Sequence, residues 1–407
     1  MRQWCFIALF LIQPVMADGP YPTFAGVSAA ADDALVAGTN PAAMALFDER
    51  QGRFEVLGFA SQSTWEGQLG EDGPTTVTDS DSSTAVPVGA MIMPIKDNWW
   101  FGFTVVGSGF SEEFDDDWVG RYFLQEYELV YISAFPSIAT RLTDKLSVAG
   151  SLALTYTSYD QKKAVPNIDP GYGDGSLLVE TDGVSVGYGL SALYEWTDQT
   201  RFGLTYRSEI EPSLEGKAKF SDLGPITEDI LDRAGFLDAR IDATSRQPRS
   251  ASLGLHHDRA NDHTLTLDGA WINFSRFKVA EVYVEGEQIV ENQQDYDDAL
   301  AFSASYSWPV SGRTRLGIGG LIVSDFVGRS NRTMAFRLDD MWSLGFGVKW
   351  QWRENRTLNV SLNYLTIGDA PVQTPEIPGL GEVTGRYTSR DTLYLRAAIS
   401  FGSGPAS

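Results

Sequence analysis

Apolar and polar residues alternate along most of this chain, and a period of two is the spacing of a β-strand with one buried face. In residues 342–352, one face carries Trp342, Leu344, Phe346, Val348, Trp350 and Trp352. Residues 357–364 and 392–401 repeat the pattern, and their opposite face is rich in polar residues. An apolar face backed by such a polar face favours a barrel with a polar lumen over a soluble sandwich.

The connectors between the predicted strands alternate between short and long from one end of the chain to the other. The short connectors are polar and turn-like, and they are residues 96–98, 143–145, 197–200, 258–263, 310–313 and 353–356. The long connectors include residues 67–84, 111–127, 161–182, 220–242, 281–298, 328–340 and 368–386. This alternation predicts an all-β fold, a transmembrane antiparallel β-barrel of about 14 strands. The short turns and both chain ends are then expected in the periplasm, below a bacterial outer membrane, with the long loops outside.

The composition is consistent with one large barrel. The 407 residues contain no linker, and the mean hydropathy of -0.16 is what half-apolar strands and polar loops should average to. Because no stretch of about 18 apolar residues follows the N-terminus, a helical membrane protein is excluded. Tryptophans near the short turns predict an aromatic girdle at a membrane interface, and they are Trp99, Trp100, Trp196, Trp308, Trp350 and Trp352.

The chain is expected to begin with a secretory signal peptide, residues 1–17, which has a basic start, an apolar stretch and a small-residue cleavage site. Cleavage would remove Cys5, the one cysteine, so neither disulfides nor thiolate metal sites are expected. The mature chain then divides into a plug (residues 18–52), the barrel (residues 53–401) and a C-terminal tail (residues 402–407).

The chain is strongly acidic, with a formal net charge of -23, which argues against a nucleic-acid partner. Acidic residues gather in the long connectors at positions 79–81, 112–117 and 295–298. Such loops could bind divalent cations that bridge to anionic lipopolysaccharide, or they could simply be a solvated acidic surface. The sequence has no spacing typical of metal ligands or of a phosphate-binding loop, so no metal and no cofactor are predicted.

The segment before the first strand carries a resemblance to a known family. It is rich in small residues and unlike a strand, which predicts a plug inside the barrel. Its Ala31-Asp32-Asp33-Ala34 run followed by Asn40-Pro41-Ala42 resembles the N-terminal hatch of the FadL family of long-chain fatty-acid and hydrocarbon transporters. The resemblance continues through Gly203, Tyr206, Arg207, Ser208, Pro248, Gly254, Asp268, Trp271, Ser275 and Phe277. The chain departs from the family in a short plug, in Phe274 where the family has Trp, and in its tail.

The resemblance implies a route of uptake. Outer loops capture a hydrophobic ligand, a pocket inside the barrel receives it, and movement of the hatch releases it through a kink in the third strand into the membrane. Gly107 and Gly109 are candidates for that kink, and crowding in the lumen or simple backbone permissiveness is the alternative. Asn40-Pro41-Ala42 is expected to anchor the plug, with direct ligand contact as the alternative. Arg207 would meet a ligand carboxylate in the lumen or pair with an interior acid.

Other classes of barrel remain as alternatives. A diffusion porin would keep an open aqueous lumen, and a surface receptor or adhesin would bind its partner without the plug. An outer-membrane hydrolase is less favoured, because His256, His257 and His263 all lie near one short turn and no catalytic residue is predicted. The expected partners are a hydrophobic ligand, outer-membrane lipid and lipopolysaccharide, and the barrel-assembly machinery. The chain is expected to be a monomer.

Overall fold

The structure is a computed structural model that describes residues 28–277, 279–284, 287–290, 296–334 and 336–402. The predicted signal peptide, the first ten residues of the predicted plug (18–27) and residues 403–407 of the predicted tail lie outside these ranges.

Fourteen strands form the wall of the barrel in the described part of the chain, and three of them are interrupted. They are β1 (Gln51–Leu69), β2 (Thr76–Lys96), β3 (Trp99–Glu113), β4 (Glu126–Thr143), β5 (Leu146–Val165), β6 (Gly175–Thr197), β7 (Thr200–Arg207 and Ser213–Ser221), β8 (Asp238–Ser245 and Ser250–Arg259), β9 (His263–Ile272 and Val279–Val284), β10 (Ala299–Ser311), β11 (Thr314–Val323), β12 (Met341–Arg353), β13 (Arg356–Ile367) and β14 (Val383–Phe401). Two shorter strands, Glu287–Val290 and Ala370–Gln373, pair with β9 and β14.

Strands that follow one another in sequence pair antiparallel. In addition, β1 pairs with β14 along a ladder that runs from the Gly52–Phe401 pair to the Leu69–Val383 pair. This last pairing closes the sheet on itself, so neither the first nor the last strand is an edge strand. The predicted all-β antiparallel barrel of fourteen strands is confirmed.

The six predicted short turns lie where the sequence placed them, and most of the long connectors are shorter than predicted, whereas the one predicted over residues 328–340 is longer and covers 324–340. Between β1 and β2 the unpaired connector is residues 70–75, whereas the sequence predicted a loop over residues 67–84. The ladder continues because backbone pairing does not depend on hydropathy. Above the apolar belt both faces of a strand are polar, so the alternation disappears while the strand goes on. We call the end of the barrel with the short turns the turn end, and the end with the long loops the loop end.

Helices are few and short. They are α1 (Val36–Thr39) and α2 (Pro225–Arg233), with 3-10 turns at Pro41–Leu46, Ala260–Asp262, Phe274–Arg276 and Arg329–Asn331. Within the described ranges, no helix is long and apolar enough to cross a bilayer.

The outward face of the wall is apolar, as the alternation predicted. Val184, Phe302 and Leu344 are more than half exposed there. One assignment to the girdle was wrong: Trp99 is exposed, whereas Trp100 points into the lumen and its Nε1 donates to the Phe47 carbonyl at 2.8 Å. Adjacent strand residues face opposite sides, so a tryptophan pair cannot lie in one girdle.

Candidate functional site

The lumen is occupied by residues Ser28–Phe47, which we call the plug. The plug is buried, and its many alanines let the backbone approach the wall closely. Pro41 begins the 3-10 turn, where its fixed φ suits the first position, and the Asn40 side-chain oxygen accepts a hydrogen bond from the Ala42 amide at 3.1 Å. Asn40 and Pro41 therefore set the direction of the chain inside the barrel.

The Asn40-Pro41-Ala42 trio also ties the plug to β6. Asn40 Nδ2 donates to the Ser28 carbonyl at 2.5 Å and to the Ala192 carbonyl at 3.3 Å, and the Ala42 amide donates to Ser191 Oγ at 3.1 Å. Every polar atom of the Asn40 side chain is used in these contacts, so they favour anchoring over direct ligand contact.

Asp33 enters a buried ionic group that we call the seam cluster: Asp33, Arg53, Glu55, Arg396 and Ser400. Arg53 donates to both Asp33 and Glu55, and Arg396 donates to Glu55 at 3.0 and 3.1 Å. Ser400 Oγ donates to Asp33 at 2.5 Å. The two arginines and two carboxylates balance in charge, and they lie where β1 and β14 close the barrel. The plug thus supplies one of the two negative charges at the seam.

The neighbouring Asp32 has a much weaker attachment. Its Oδ1 lies 3.4 Å from Lys349 Nζ on β12, and the two side chains are 18% and 20% exposed. The two acidic residues of the plug, adjacent in sequence, therefore reach different parts of the wall.

Close approach of the plug requires glycine in the wall at two positions. A Cβ on Gly203 of β7 would lie 1.5 Å from the Ser28 carbonyl oxygen, and one on Gly102 of β3 would lie 2.4 Å from Met44 Sδ. The family-like glycine at position 203 is thus explained by the plug, because no side chain fits there.

Arg207 also contacts the plug. Its guanidinium donates to the Gly38 carbonyl at 2.7 Å and lies 5.5 Å from the centre of the Phe135 ring. The partner that the structure gives Arg207 is a plug carbonyl and not a carboxylate. A small cavity of about 70 Å³ adjoins this arginine.

Gly107 and Gly109 lie in the half of β3 nearer the loop end. The ladder between β3 and β4 runs through both glycines without a register shift, whereas the ladder between β3 and β2 ends at Val106 and Val88. The next residue of β2 is Pro87, which has no amide hydrogen to donate. Beyond this point β2 pairs with β1 on one side only.

The two sides of the lumen differ in chemistry. The helical part of the plug packs against β2–β6, where apolar and small residues face inward together with hydroxyls such as Thr104, Ser133 and Thr155. The opposite wall, β10–β13, faces the lumen with hydroxyls and amides: Ser303, Ser305, Ser307, Ser343, Asn359, Ser361 and Asn363. We call these the plug wall and the polar wall.

The loop end holds an apolar cavity of about 510 Å³. It is lined by Tyr122, Phe123, Val165, Phe220, Leu231, Phe236 and Ile377, with Lys163 among the polar residues. Helix α2 contributes Leu231, and Asp169 caps this helix from another loop by accepting hydrogen bonds from the Ile226 and Thr227 amides at 2.7 and 2.9 Å. Burial raises the pKa of the Asp169 carboxyl, but these hydrogen bonds outweigh it and hold the pKa below its ordinary value.

Aromatic residues also fill the lumen near the loop end. Trp65 packs edge-on against Tyr387 and Trp118, and Arg337 lies 3.9 Å from the centre of the Tyr387 ring. Arg337 pairs with the buried Glu112. Burial lowers the pKa of the Arg337 guanidinium, but Glu112 outweighs it and raises the pKa above its ordinary value. The loop end is thus covered by packed side chains.

Sequence reasoning missed two of these features. The seam cluster had a signal, because Arg53, Glu55 and Arg396 all lie on lumen faces of the first and last strands, which must pair in a closed barrel. The loop-end cavity had a weaker one, because Pro225 with Ile226 and Ile230 marks a helix start inside a predicted loop.

The three histidines contact three different neighbours. His256 Nε2 lies 3.2 Å from Asp258, His257 Nδ1 lies 2.9 Å from Thr200 Oγ1, and His263 Nδ1 lies 2.6 Å from the Tyr306 hydroxyl. Among the described residues, no three or more His, Cys, Asp or Glu are arranged to hold a metal ion.

A closed fourteen-stranded barrel with an apolar outer face and a plug in its lumen defines the class: an outer-membrane barrel whose pore is filled. The sequence model of one family, "Outer membrane protein transport protein (OMPP1/FadL/TodX)", matches residues 4–401. The chain belongs to this family of transport proteins and is a bacterial outer-membrane protein.

Relatives within and around this family cover nearly the whole chain. A long-chain fatty acid transport protein of Escherichia coli O6:H1 is 22% identical over 387 residues, covering 88% of this chain and 86% of that protein. The crystal structure of a Pseudomonas aeruginosa FadL homologue superposes with a TM-score of 0.82 at 21% identity, covering 93% of this chain and 96% of the homologue. The crystal structure of the P. putida toluene transporter TodX superposes with a TM-score of 0.67 at 14% identity, covering 95% of this chain and 99% of TodX. At these identities the solved structures support the fold alone.

Proposed function

We propose that this chain imports hydrophobic small molecules across the outer membrane, with long-chain fatty acids as the first expected ligand and aromatic or aliphatic hydrocarbons as the second. The single observation that carries the proposal is the plug, which fills the lumen and is hydrogen-bonded to its wall. A filled lumen opposes free diffusion of ions, and a hydrophobic molecule gains nothing from a water-filled pore. The names of the relatives, a fatty acid transport protein and a toluene transporter, agree with this ligand class.

Capture would take place in the loop-end cavity. Its lining is mostly apolar, and its size is within the range of small-molecule sites. Lys163 and Glu376 both line the cavity, so its charged residues do not favour a fatty acid over a neutral hydrocarbon.

Movement of the plug would then connect this cavity with the lumen. Asn40 and Ala42 hold the plug to β6, and Asp33 holds it to the seam, so these contacts resist the movement. Asp32 contributes a weaker contact with Lys349. When the plug shifts, Arg207 would donate its hydrogen bond to a ligand carboxylate in place of the Gly38 carbonyl.

Release would be lateral, between β2 and β3. Gly107 and Gly109 lie just beyond the last pair of this ladder, and Pro87 cannot donate a hydrogen bond to extend it. Because the release point opens into the bilayer, an apolar ligand avoids the periplasm.

The orientation and the partners complete the proposal. The turn end and both chain ends face the periplasm after removal of residues 1–17. The N-terminal segment of residues 18–52 supplies the plug, residues 53–401 form the barrel and residues 402–407 form a tail. The barrel is inserted as a monomer by the barrel-assembly machinery. Its loop end contacts lipopolysaccharide, through bridging divalent cations or merely as a solvated acidic surface.

A disulfide across the proposed release point tests the mechanism. An ideal Cβ at Gly107 lies 3.9 Å from Val86 Cβ, which is the separation found in disulfides. With Val86→Cys and Gly107→Cys, oxidation should lower uptake of radiolabelled oleate by cells that lack their own transporter, and a reductant should restore it. The matched control is Val86→Cys alone, which cannot form the bridge. Unchanged uptake in the fully oxidised pair would contradict release between β2 and β3.

The alternative classes are tested by conductance and by deletion of the plug. A porin predicts large, stable single-channel steps in a planar bilayer, and the transporter predicts small, irregular ones. Deletion of residues 28–47 should abolish selective oleate uptake, whereas an adhesin would still bind its partner. Hydrolysis of detergent-like esters by the purified protein would instead favour an enzyme.

A further inference from the structure

The barrel wall is also interrupted between β6 and β7. Their ladder stops at Gly189 and Arg207 and resumes at Asp182 and Glu215. Six residues of β6 (183–188) therefore face seven residues of β7 (208–214), so the register changes by one residue across the gap. Such an extra residue is a β-bulge, which locally disrupts a ladder.

The edges of this gap are held, but its centre is not. At the lower edge, Ser208 N donates to the Tyr188 carbonyl and Tyr188 N donates to Ser208 Oγ, both at 2.9 Å. At the upper edge, Gly183 is so close to β7 that a Cβ would lie 2.2 Å from the Ser213 carbonyl oxygen. The opening therefore spans Val184–Gly187 of β6.

A proline alone does not produce such a gap in this wall. Pro136 interrupts the ladder between β4 and β5, which stops at Ala134 and Leu154 and resumes at Ser137 and Ser151. Two residues are skipped on each side and the register is unchanged. The longer gap between β6 and β7, with its register change, is therefore a separate feature of the fold.

The gap lies at the level of the apolar belt. Val184 and Val186 on its outer face are 68% and 61% exposed. Unpaired backbone is costly in lipid, because no water satisfies its hydrogen bonds. A gap kept at this level is consistent with a functional use.

A cavity reaches this gap from the lumen. It is lined on the inside by Phe135, Thr155 and Arg207, and it extends to Tyr188 and Ile210 in the wall. The Ile210 side chain fills the gap, since a Cβ on Gly187 would lie 2.6 Å from Ile210 Cγ1. The inner end of the cavity therefore offers a guanidinium, and the outer end is closed by one apolar side chain.

We propose that this gap is a second lateral exit, closed by Ile210, through which unbranched alkyl carboxylates leave the lumen. The inference rests on the proposed function, because it needs a hydrophobic cargo in the lumen. Arg207 holds the head group at the inner end while the chain displaces Ile210. Because the cavity behind the gap measures only about 70 Å³, we expect an unbranched chain to pass and a methyl-branched or aromatic molecule to be excluded.

A second disulfide tests this exit. Ile210 Cγ1 occupies the place of a cysteine sulfur, so Gly187→Cys with Ile210→Cys bridges the gap on oxidation. Because parallel exits add their rates, oxidation of this pair should remove part of oleate uptake, and oxidation of both this pair and the 86–107 pair should remove nearly all of it. A reductant should restore uptake in each case.

The gate is tested separately in the oxidised 86–107 background. Ile210→Ala should raise the residual uptake of oleate but not that of a methyl-branched fatty acid, whereas Leu204→Ala, a lipid-facing control on the same strand, should change neither. The second exit is refuted if the oxidised 86–107 pair alone stops uptake and Ile210→Ala does not restore it. The proposed function itself fails in a different way, if cells carrying the wild-type chain take up no more oleate than cells carrying an empty vector.

Discussion

The plug wall and the polar wall are built from strands with the same period, yet they face the lumen with different chemistry. On the plug wall, Gly102, Ser137 and Ala139 lie against the plug, and close contact selects small or apolar residues. On the polar wall, Ser305 bonds to Thr266 and Ser361 accepts from Asn363, whereas the Ser343 hydroxyl and the Asn359 amide have no hydrogen-bond partner among the described residues. The comparison teaches that the inward face of one barrel is partly a protein interior and partly a polar lining, depending on what packs against it.

The plug's two acidic residues sharpen this comparison, because Asp33 reaches the seam and Asp32 reaches the polar wall. Asp33→Ala leaves Arg53 and Arg396 to share Glu55, and removing one partner of a buried ionic group costs about 3–5 kcal/mol. The backbone amides of residues 34–47 should therefore lose most of their protection against hydrogen exchange, as measured by mass spectrometry.

Asp32→Ala is the matched control for this change. Its pair with Lys349 is partly exposed, so the loss should be no more than about 1 kcal/mol. Equal loss of protection in the two variants would show that the seam cluster does not hold the plug.

A larger side chain in the wall is the second way to disrupt packing between the plug and the plug wall. Gly203→Ala places a Cβ against the Ser28 carbonyl, and overpacking of this kind costs roughly 1–3 kcal/mol or drives the plug out. We expect larger conductance steps in a planar bilayer. Gly89→Ala is the control, because its Cβ meets open space, and it should behave like the wild type.

A pair of serines compares the two walls directly. Ser137 Oγ donates to the Ala37 carbonyl of the plug at 3.2 Å, so Ser137→Ala should cost about 1 kcal/mol and raise exchange of the plug amides. Ser343 on the polar wall is buried, and its Oγ has no hydrogen-bond partner among the described residues, so Ser343→Ala should cost nothing. A larger loss of stability for Ser343→Ala than for Ser137→Ala would contradict this difference between the two walls.

The smallest effect is expected far from both walls, at Asp169 in the loops. Because the folded pKa is below that of a free aspartate, its contribution to stability is present above a pH of about 4 and is lost as the pH falls through the folded pKa. Exchange at the Ile226 and Thr227 amides should rise in that acidic range, relative to other helical amides. Asp169→Asn should already show the faster exchange at neutral pH, and an unchanged rate there would count against this cap.

Much of the fold follows from the sequence, because a period of two is a local property of the backbone. Trp342 to Trp352 and the six short turns were placed correctly for this reason. The failures have physical causes. Strand ends above the apolar belt carry no alternation, and Trp100 looked like its neighbour Trp99 until the pleat assigned the two to opposite faces.

The site was less predictable than the fold. Of the family-like positions, Asn40 lies in the plug and bonds to the wall, and Gly203 and Arg207 lie in the wall and contact the plug. All three partners are distant in sequence. Which carboxylate Arg207 would meet could not be read from its strand, and the structure gives it the Gly38 carbonyl.

By itself the sequence determined that the chain is an antiparallel barrel of fourteen strands with an apolar outer face, and that a segment of small residues precedes it. Those are consequences of hydropathy repeated along one strand at a time. Tertiary structure alone decided that Asp33 meets Ser400 and that β6 and β7 part beside Ile210. Both depend on barrel closure and register, which bring together residues that no local pattern relates.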